Sequence, residues 1–303
     1  MNQDLRGRRK SPRVSVILPT YNRLVYLQNA FRTVLEQTWS DWELLVLNDG
    51  SSDGTSAWLD TIEDTRVRVF SRPHTGAVSA LRNAGIAESR GEWLAFLDDD
   101  DAWHPEKLER QMALHRSHAE WRWSYTAVTS IDSSGRPIPP NPNRPWRPLA
   151  GRIVLPVLTI EASIALPSVV VHRDLLARVR GFDERLDFAM DYDLWLRLAR
   201  QAEVGVLDDE LTFVRSHLGS RTAHQPGVNI AFVRVYEKFA VGATSSEREI
   251  CRCRQAFHEV RLSRQWLALG QRKQACNALF RAIRLRPFYP WAWRTVAKTL
   301  VGS

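Results

Sequence analysis

Four short apolar runs, rich in β-branched and aromatic residues, punctuate the first hundred residues at 14–18, 42–47, 67–70 and 93–97. Between and after them lie stretches with helical character at 24–37, 55–62, 77–88 and 105–118. This alternation constrains the fold more than any other feature of the chain. Strands that alternate with helices of this length form βαβ units, whose parallel sheet is buried on both faces. The class is therefore α/β. Ligands of such open sheets bind at the carboxyl ends of the strands, so the residues that follow each apolar run are the first place to look for chemistry.

Those residues are polar or acidic at three successive strand ends. The first run is followed by Pro19, Thr20, Tyr21 and Asn22, the second by Asn48, Asp49, Gly50 and Ser51, and the fourth by Asp98, Asp99, Asp100 and Asp101. Tyr21 offers a flat ring on which a nucleobase can stack, and Asp49 can accept a hydrogen bond from a pyrimidine imide. Four adjacent carboxylates repel one another, and a hard divalent cation shared with substrate phosphates offsets that repulsion. Taken alone, the run also reads as an acidic surface loop with a helix cap. The dinucleotide fingerprint G-x-G-x-x-G and the Walker phosphate loop are both missing, which argues against hydride transfer and ATP hydrolysis.

Further along, prolines 137, 139, 140, 142, 145 and 148 mark a long loop of the kind that contacts substrate. A strand-like stretch at 168–171, a turn at 181–184 and a helix over 191–201 follow. From about Asn229 the pattern is helical throughout, broken at Gly270 and again at Pro287 and Pro290. With 44% hydrophobic and 25% charged residues, the chain has material for a real core. No stretch reaches the roughly 18 apolar residues of a membrane span, and the basic start Met1–Lys10 lacks the apolar segment of a secretory signal. Three cysteines, at 251, 253 and 276, provide neither a disulfide framework nor zinc spacing, so a reducing cytoplasmic setting is expected.

Four stretches, 14–23, 43–55, 81–86 and 91–105, together resemble the family-two inverting glycosyltransferases with the A-type fold. They include Pro19-Thr20-Tyr21-Asn22-Arg23, Asn48-Asp49-Gly50-Ser51, Leu81-Arg82-Asn83-Ala84-Gly85 and the aspartate run with Trp103. The match runs in order over roughly residues 13–220. It implies a mixed, mostly parallel central sheet flanked by helices, with a C-terminal helical extension. The expected organisation is a basic tail over 1–12, a nucleotide-sugar-dependent domain over 13–225 and a basic helical extension over 226–303.

The resemblance also implies roles. Tyr21 and Asp49 would hold the base, usually uracil, while Pro19, Asn22 and Arg82 also belong to the donor pocket. Asp98 and Asp100 would ligate Mn²⁺ or Mg²⁺, with Asp98 and Asp99 also on the donor side. Asp191, in Met190-Asp191-Tyr192-Asp193-Leu194-Trp195, matches the general base; a helix cap is its bland alternative. His217 would close near the diphosphate, while His74, His104 and His172 receive no functional role. Two positions depart from the pattern. Asn48 replaces an aspartate, and Met190 replaces a glutamate, which makes Asp191 easier to ionise.

The function implied is transfer of a sugar from a nucleotide-diphosphate donor, a UDP-sugar first, to a hydroxyl of a glycan or lipid-linked acceptor in cell-surface polysaccharide synthesis. The alternative is a catalytically silent relative that binds nucleotide-sugars or scaffolds an assembly. The chain carries a formal charge of +8, and from Ala243 onward 12 Lys/Arg stand against 3 Asp/Glu. This localised field, beside Trp266, Trp291 and Trp293, suits an anionic membrane surface at the inner face of the cell membrane; tryptophans packing the helices are the bland reading. No nucleic-acid recognition motif accompanies the basic residues.

Overall fold

The computed structural model describes residues 12–142, 146–216 and 225–301. Its described residues divide into two compact units. One falls within Met1–Ile153, Ala162–Glu184 and Arg197–His217, the other within Val154–Glu161, Arg185–Leu196 and Leu218–Ser303.

In the first unit the four apolar runs become strands β1 (Val14–Thr20), β2 (Trp42–Asn48), β3 (Val67–Ser71) and β4 (Trp93–Phe96). Helices α1 (Leu24–Leu35), α2 (Thr55–Leu59), α3 (Val78–Glu88) and α4 (Lys107–Ser117) fill the intervals and follow the last run. Four more strands complete the sheet: β5 (Ala102–Trp103), β6 (Trp123–Ile131), β7 (Val170–His172) and β8 (Gly205–Arg215). The spatial order is β3-β2-β1-β4-β7-β6-β8-β5. β1 lies parallel between β2 and β4, with Val14 opposite both Trp42 and Trp93. β7 then runs antiparallel to β4 and β6, so β4 sits at a seam between a parallel half and a mixed half.

Burial explains the pattern. Every residue of β1, β2 and β4 is buried, as parallel strands covered on both faces must be. One face carries Val14, Val16, Leu18, Leu44 and Val46 into a cluster with Leu27, Phe31 and Val34 of α1 and with Leu108 and Met112 of α4. On the other, α3 comes so close that a Cβ on Gly85 would lie 2.9 Å from Ile17 Cγ2. β6 and β8 fall where no strand is expected from the sequence, and the reason is visible. Buried Ser124, Thr126 and Thr212 interrupt their apolar character, and the Thr126 and Thr212 hydroxyls satisfy each other at 3.0 Å across the pair. The ladder also shifts register on both sides of Ala127.

The second unit contains the C-terminal helices α8 (Pro226–Ala240), α9 (Ser245–Ala268), α10 (Arg272–Leu285) and α11 (Pro290–Val301), broken where Gly270 and Pro290 were expected to break them. Thr244 and Glu247 form a reciprocal capping box at the start of α9. The unit also takes in α5 (Val154–Leu158) and the first residues of α7 (Met190–Gln201), so the expected chain boundary at 225 does not divide the packing. Tyr192 shows why. Its hydroxyl sits 3.0 Å from the Val157 carbonyl and 3.0 Å from the Tyr236 hydroxyl, joining α5, α7 and α8. Among the described residues no helix is long and apolar enough to cross a membrane.

Candidate active site at the strand ends

Turns after β1, β2 and β4 carry the expected groups, and the structure brings most of them together within the first unit. Asp49 follows β2 and is 4% exposed. Its carboxylate receives four donors from one loop. Thr75 N (3.0 Å) and Thr75 Oγ1 (3.3 Å) donate to Oδ1; Gly76 N (2.9 Å) and His74 Nδ1 (2.8 Å) meet Oδ2. Gly50 makes this approach feasible: it sits at φ 73°, and a Cβ there would lie 2.7 Å from His74 N. The Tyr21 ring stacks on His74, with centroids 3.7 Å apart and planes 11° from parallel. Pro19 is buried at the end of β1, and Asn22, at φ 52°, accepts a hydrogen bond from Ser52 N at 2.7 Å through its side-chain carbonyl.

Asn48 departs from the family pattern for a local reason. Its amide donates to Ser56 Oγ (2.9 Å) and its carbonyl accepts from Ser51 N (3.0 Å). The backbone N–H of Ser51 fixes which end of the amide is the oxygen. Asn48 thus organises the turn that presents Asp49.

The aspartate run divides its labour. Asp98 pairs with Arg82 of α3. Asp99 is buried and accepts from Thr20 Oγ1 at 2.8 Å. Asp100 pairs with Arg23 at 2.6 Å, and the same guanidinium reaches Asp99 at 3.3 Å. Asp101 accepts from the backbone N–H of Arg215 at 2.8 Å. Burial, reinforced by the charge of Asp100, pushes the Asp99 carboxyl up to about 6. Burial together with Asp98 and Asp100 holds Asp101 well above the usual carboxylate range. Arg23 is shifted up as well: burial opposes its charge, but Asp99 and Asp100 outweigh it.

Arg82 is 5% exposed, and its Nε has no hydrogen-bond partner among the described residues. A buried guanidinium with one donor unsatisfied is suited to an anion. Two all-oxygen ligands, Asp98 and Asp100, fit a hard divalent ion. Among the described residues no group of three or more His, Cys, Asp or Glu side chains could enclose one. The remaining ligands would therefore come from donor phosphates and water.

Asp191 lies in the second unit, in the first turn of α7, half-buried, and its Oδ1 accepts from Tyr192 N at 2.8 Å. Ala189, immediately before the helix, holds φ 55°, a strained value for a residue with a Cβ. Asp193 is buried and pairs with Lys238 at 2.8 Å, so it plays a structural part. His217 lies outside the described residues.

Sequence reasoning missed three contributors. His74 carries no motif, because its partners lie 25 and 53 positions upstream. Arg23, which follows the Pro19–Asn22 turn and has no role by sequence, bridges two aspartates. Asn83, next to Arg82, clasps the turn at Phe182 through both its amide ends, at 2.9 Å each. The Phe182 ring in turn lies 5.6 Å from the Arg82 guanidinium.

Strand-end carboxylates, a buried arginine with an unsatisfied Nε and a stacked aromatic pair thus lie on one open α/β sheet. Residues 15–149 match the family described as glycosyl transferase family 2, and that stretch carries a domain of this family. An uncharacterized glycosyltransferase of Rickettsia felis is 32% identical over 215 residues, covering 71% of this chain and 35% of the relative. This chain thus spans about a third of that protein's length. The Escherichia coli UDP-Glc:alpha-D-GlcNAc-diphosphoundecaprenol beta-1,3-glucosyltransferase WfgD is 28% identical, covering 64% of this chain and 73% of WfgD. Among solved structures, S. aureus TarS 1-349 in complex with UDP-GlcNAc superposes with a TM-score of 0.71 at 20% identity, covering 90% of this chain and 81% of that one. The fold is thus the mixed α/β sheet with flanking and C-terminal helices that the sequence led us to expect.

Proposed function

We propose that the chain is an inverting glycosyltransferase that moves a sugar from a UDP-sugar to a hydroxyl of a glycan or lipid-linked acceptor in cell-surface polysaccharide synthesis. The observation that carries this reading is the delivery of Tyr21, Asp49 and the aspartate run by three adjacent strand ends, with Arg82 on Asp98. WfgD, by its name, uses UDP-Glc and a diphosphoundecaprenol-linked acceptor, which supports both donor and acceptor class.

In this reading Tyr21 and Asp49 hold the base, with Pro19 and Asn22 shaping the turn beneath it, and Asp99 faces the ribose. Arg82 donates to a diphosphate oxygen, and His217 would join it there. Asp98 and Asp100 would hold Mn²⁺ or Mg²⁺, which supplies positive charge against the departing diphosphate. Asp191 takes the proton from the acceptor hydroxyl as that oxygen attacks the anomeric carbon, general-base work of roughly 10²–10⁴ in rate. An anionic membrane surface is the partner of the C-terminal helices. After Glu259 the sequence has 9 basic residues and no acidic one, and Phe280, Phe288 and Trp293 are exposed there.

Two variants test the reading. Asp100→Ala is expected to abolish Mn²⁺-dependent stabilisation by UDP in a thermal melt. Asp191→Asn is expected to keep UDP binding while turnover falls by roughly 10²–10⁴. UDP stabilisation that persists in Asp100→Ala without metal, or turnover that survives in Asp191→Asn, would remove the corresponding role.

A further inference from the structure

We propose that the imidazole of His74 occupies the nucleobase subsite as an internal surrogate, and that the donor must displace it to bind. This rests on the reading that Tyr21 and Asp49 receive the base. His74 makes the two contacts assigned there to uracil: it stacks flat on Tyr21 at 3.7 Å and meets Asp49 Oδ2 through Nδ1 at 2.8 Å. Its Nδ1 also lies 3.1 Å from the Asp49 carbonyl oxygen. Both neighbours are acceptors, so Nδ1 carries the proton and plays the part of an imide N–H.

Geometry excludes simultaneous occupancy. Rings already in van der Waals contact leave no slot, because a base between them needs about twice that separation. The carboxylate is full as well. An ionised Asp offers about four lone-pair positions, and Thr75 N, Thr75 Oγ1, Gly76 N and His74 Nδ1 take them all. Two of these donors are backbone groups and one is a hydroxyl anchored beside them. His74 is the member that can leave by side-chain rotation alone, with no break in the Thr75–Gly76 backbone clasp. Its side chain is 44% exposed and Tyr21 is 40% exposed, so the imidazole has solvent to rotate into.

The consequence is a fixed reduction of donor affinity. A site populated by its own side chain binds with an apparent dissociation constant equal to the intrinsic one divided by the fraction of time the site is open. One aromatic stack plus one partly exposed hydrogen bond amounts to roughly three- to tenfold. Calorimetric titration with UDP in the presence of Mn²⁺ tests this. His74→Ala is expected to bind UDP roughly three- to tenfold tighter, while affinity for inorganic pyrophosphate, which does not reach the base slot, stays unchanged. His74→Gln, which lacks the ring, is expected to follow the same direction, and a thermal melt of each variant without ligand checks folding. Unchanged or weaker UDP binding in both folded variants overturns the surrogate role. Tyr21→Ala made in the His74→Ala background, where no competitor shares the ring, separates the two layers: if it leaves UDP affinity unchanged, the slot is not the base site at all; if it weakens UDP binding while His74→Ala does not tighten it, only the displacement is wrong.

Discussion

Asp49→Asn is nearly isosteric, and the structure gives its consequence without reference to any ligand. One carboxylate oxygen becomes an NH2 group, which cannot accept. If that oxygen is Oδ1, Thr75 N and Thr75 Oγ1 lose their acceptor; if Oδ2, Gly76 N and His74 Nδ1 lose theirs. Either amide orientation therefore turns a donor toward a backbone N–H at a residue only 4% exposed. Leaving such a buried donor unsatisfied costs about 1–3 kcal/mol, and more when the lost partner was charged. A loss of about 2 kcal/mol in a unit of this size corresponds to a melting shift of roughly 4–8 °C. Scanning calorimetry reads the shift, and amide exchange at Thr75 and Gly76 locates it. A melt within about 1 °C of the parent, with unchanged exchange at both amides, would refute the clasp.

Three further outcomes are expected. Lys107 is wholly buried, with Nζ 2.8 Å from Gln111 Oε1 and 4.2 Å over Trp103, and burial alone drives its amine well below its ordinary value. The unfolded chain therefore binds a proton there that the folded chain resists, so stability at neutral pH carries a cost that fades as pH rises toward the ordinary lysine range. Lys107→Met should raise stability by roughly 1–3 kcal/mol at pH 7 and by less at pH 9 in denaturant titrations; a loss at pH 7 contradicts this. Burial also pushes His115 down to about 4 and His258 down to about 3. Both stay neutral in the folded state while the unfolded chain protonates below about 6.5, so each should withdraw about 2 kcal/mol between pH 7.5 and 5, with urea midpoints falling accordingly. Finally, the intact chain should float with phosphatidylglycerol vesicles and not with phosphatidylcholine vesicles, and Phe280→Ser with Phe288→Ser should weaken that binding; sedimentation in both cases ends the membrane proposal.

Much of this was legible in the sequence because it is written in local patterns. The four runs that became β1 to β4 are continuous and apolar, and the strand ends followed from them. Asp49 and the aspartate run could be placed at one edge before any coordinates. What stayed hidden depends on long-range pairing. β6 and β8 pair as strands with buried hydroxyls that satisfy each other across 86 positions, which no window of sequence displays. Arg23 and His74 acquire meaning only when separate turns converge, since their partners lie 77 and 25 residues away. Tyr192, in the first turn of α7, gives no hint in the sequence that it joins α5 to α8.

The seam at β4 has a consequence for how the molecule is made. The clasp on Asp49 and the arginine pairs on Asp98 and Asp100 all close within residues 20–100. Arg215 is contributed late: its amide meets Asp101 and its Nε donates to the Asp100 carbonyl. A chain emerging from its N-terminus can therefore assemble this corner early, because domains form as their segments appear. Yet β4 is apolar throughout, and its free edge waits for β7, which begins 74 residues after β4 ends. During that interval the nascent protein exposes an unpaired, fully hydrophobic strand, the template on which one unfinished copy pairs with another. Slow translation between these two strands would lengthen the hazard, and a holdase that covers 93–96 would remove it.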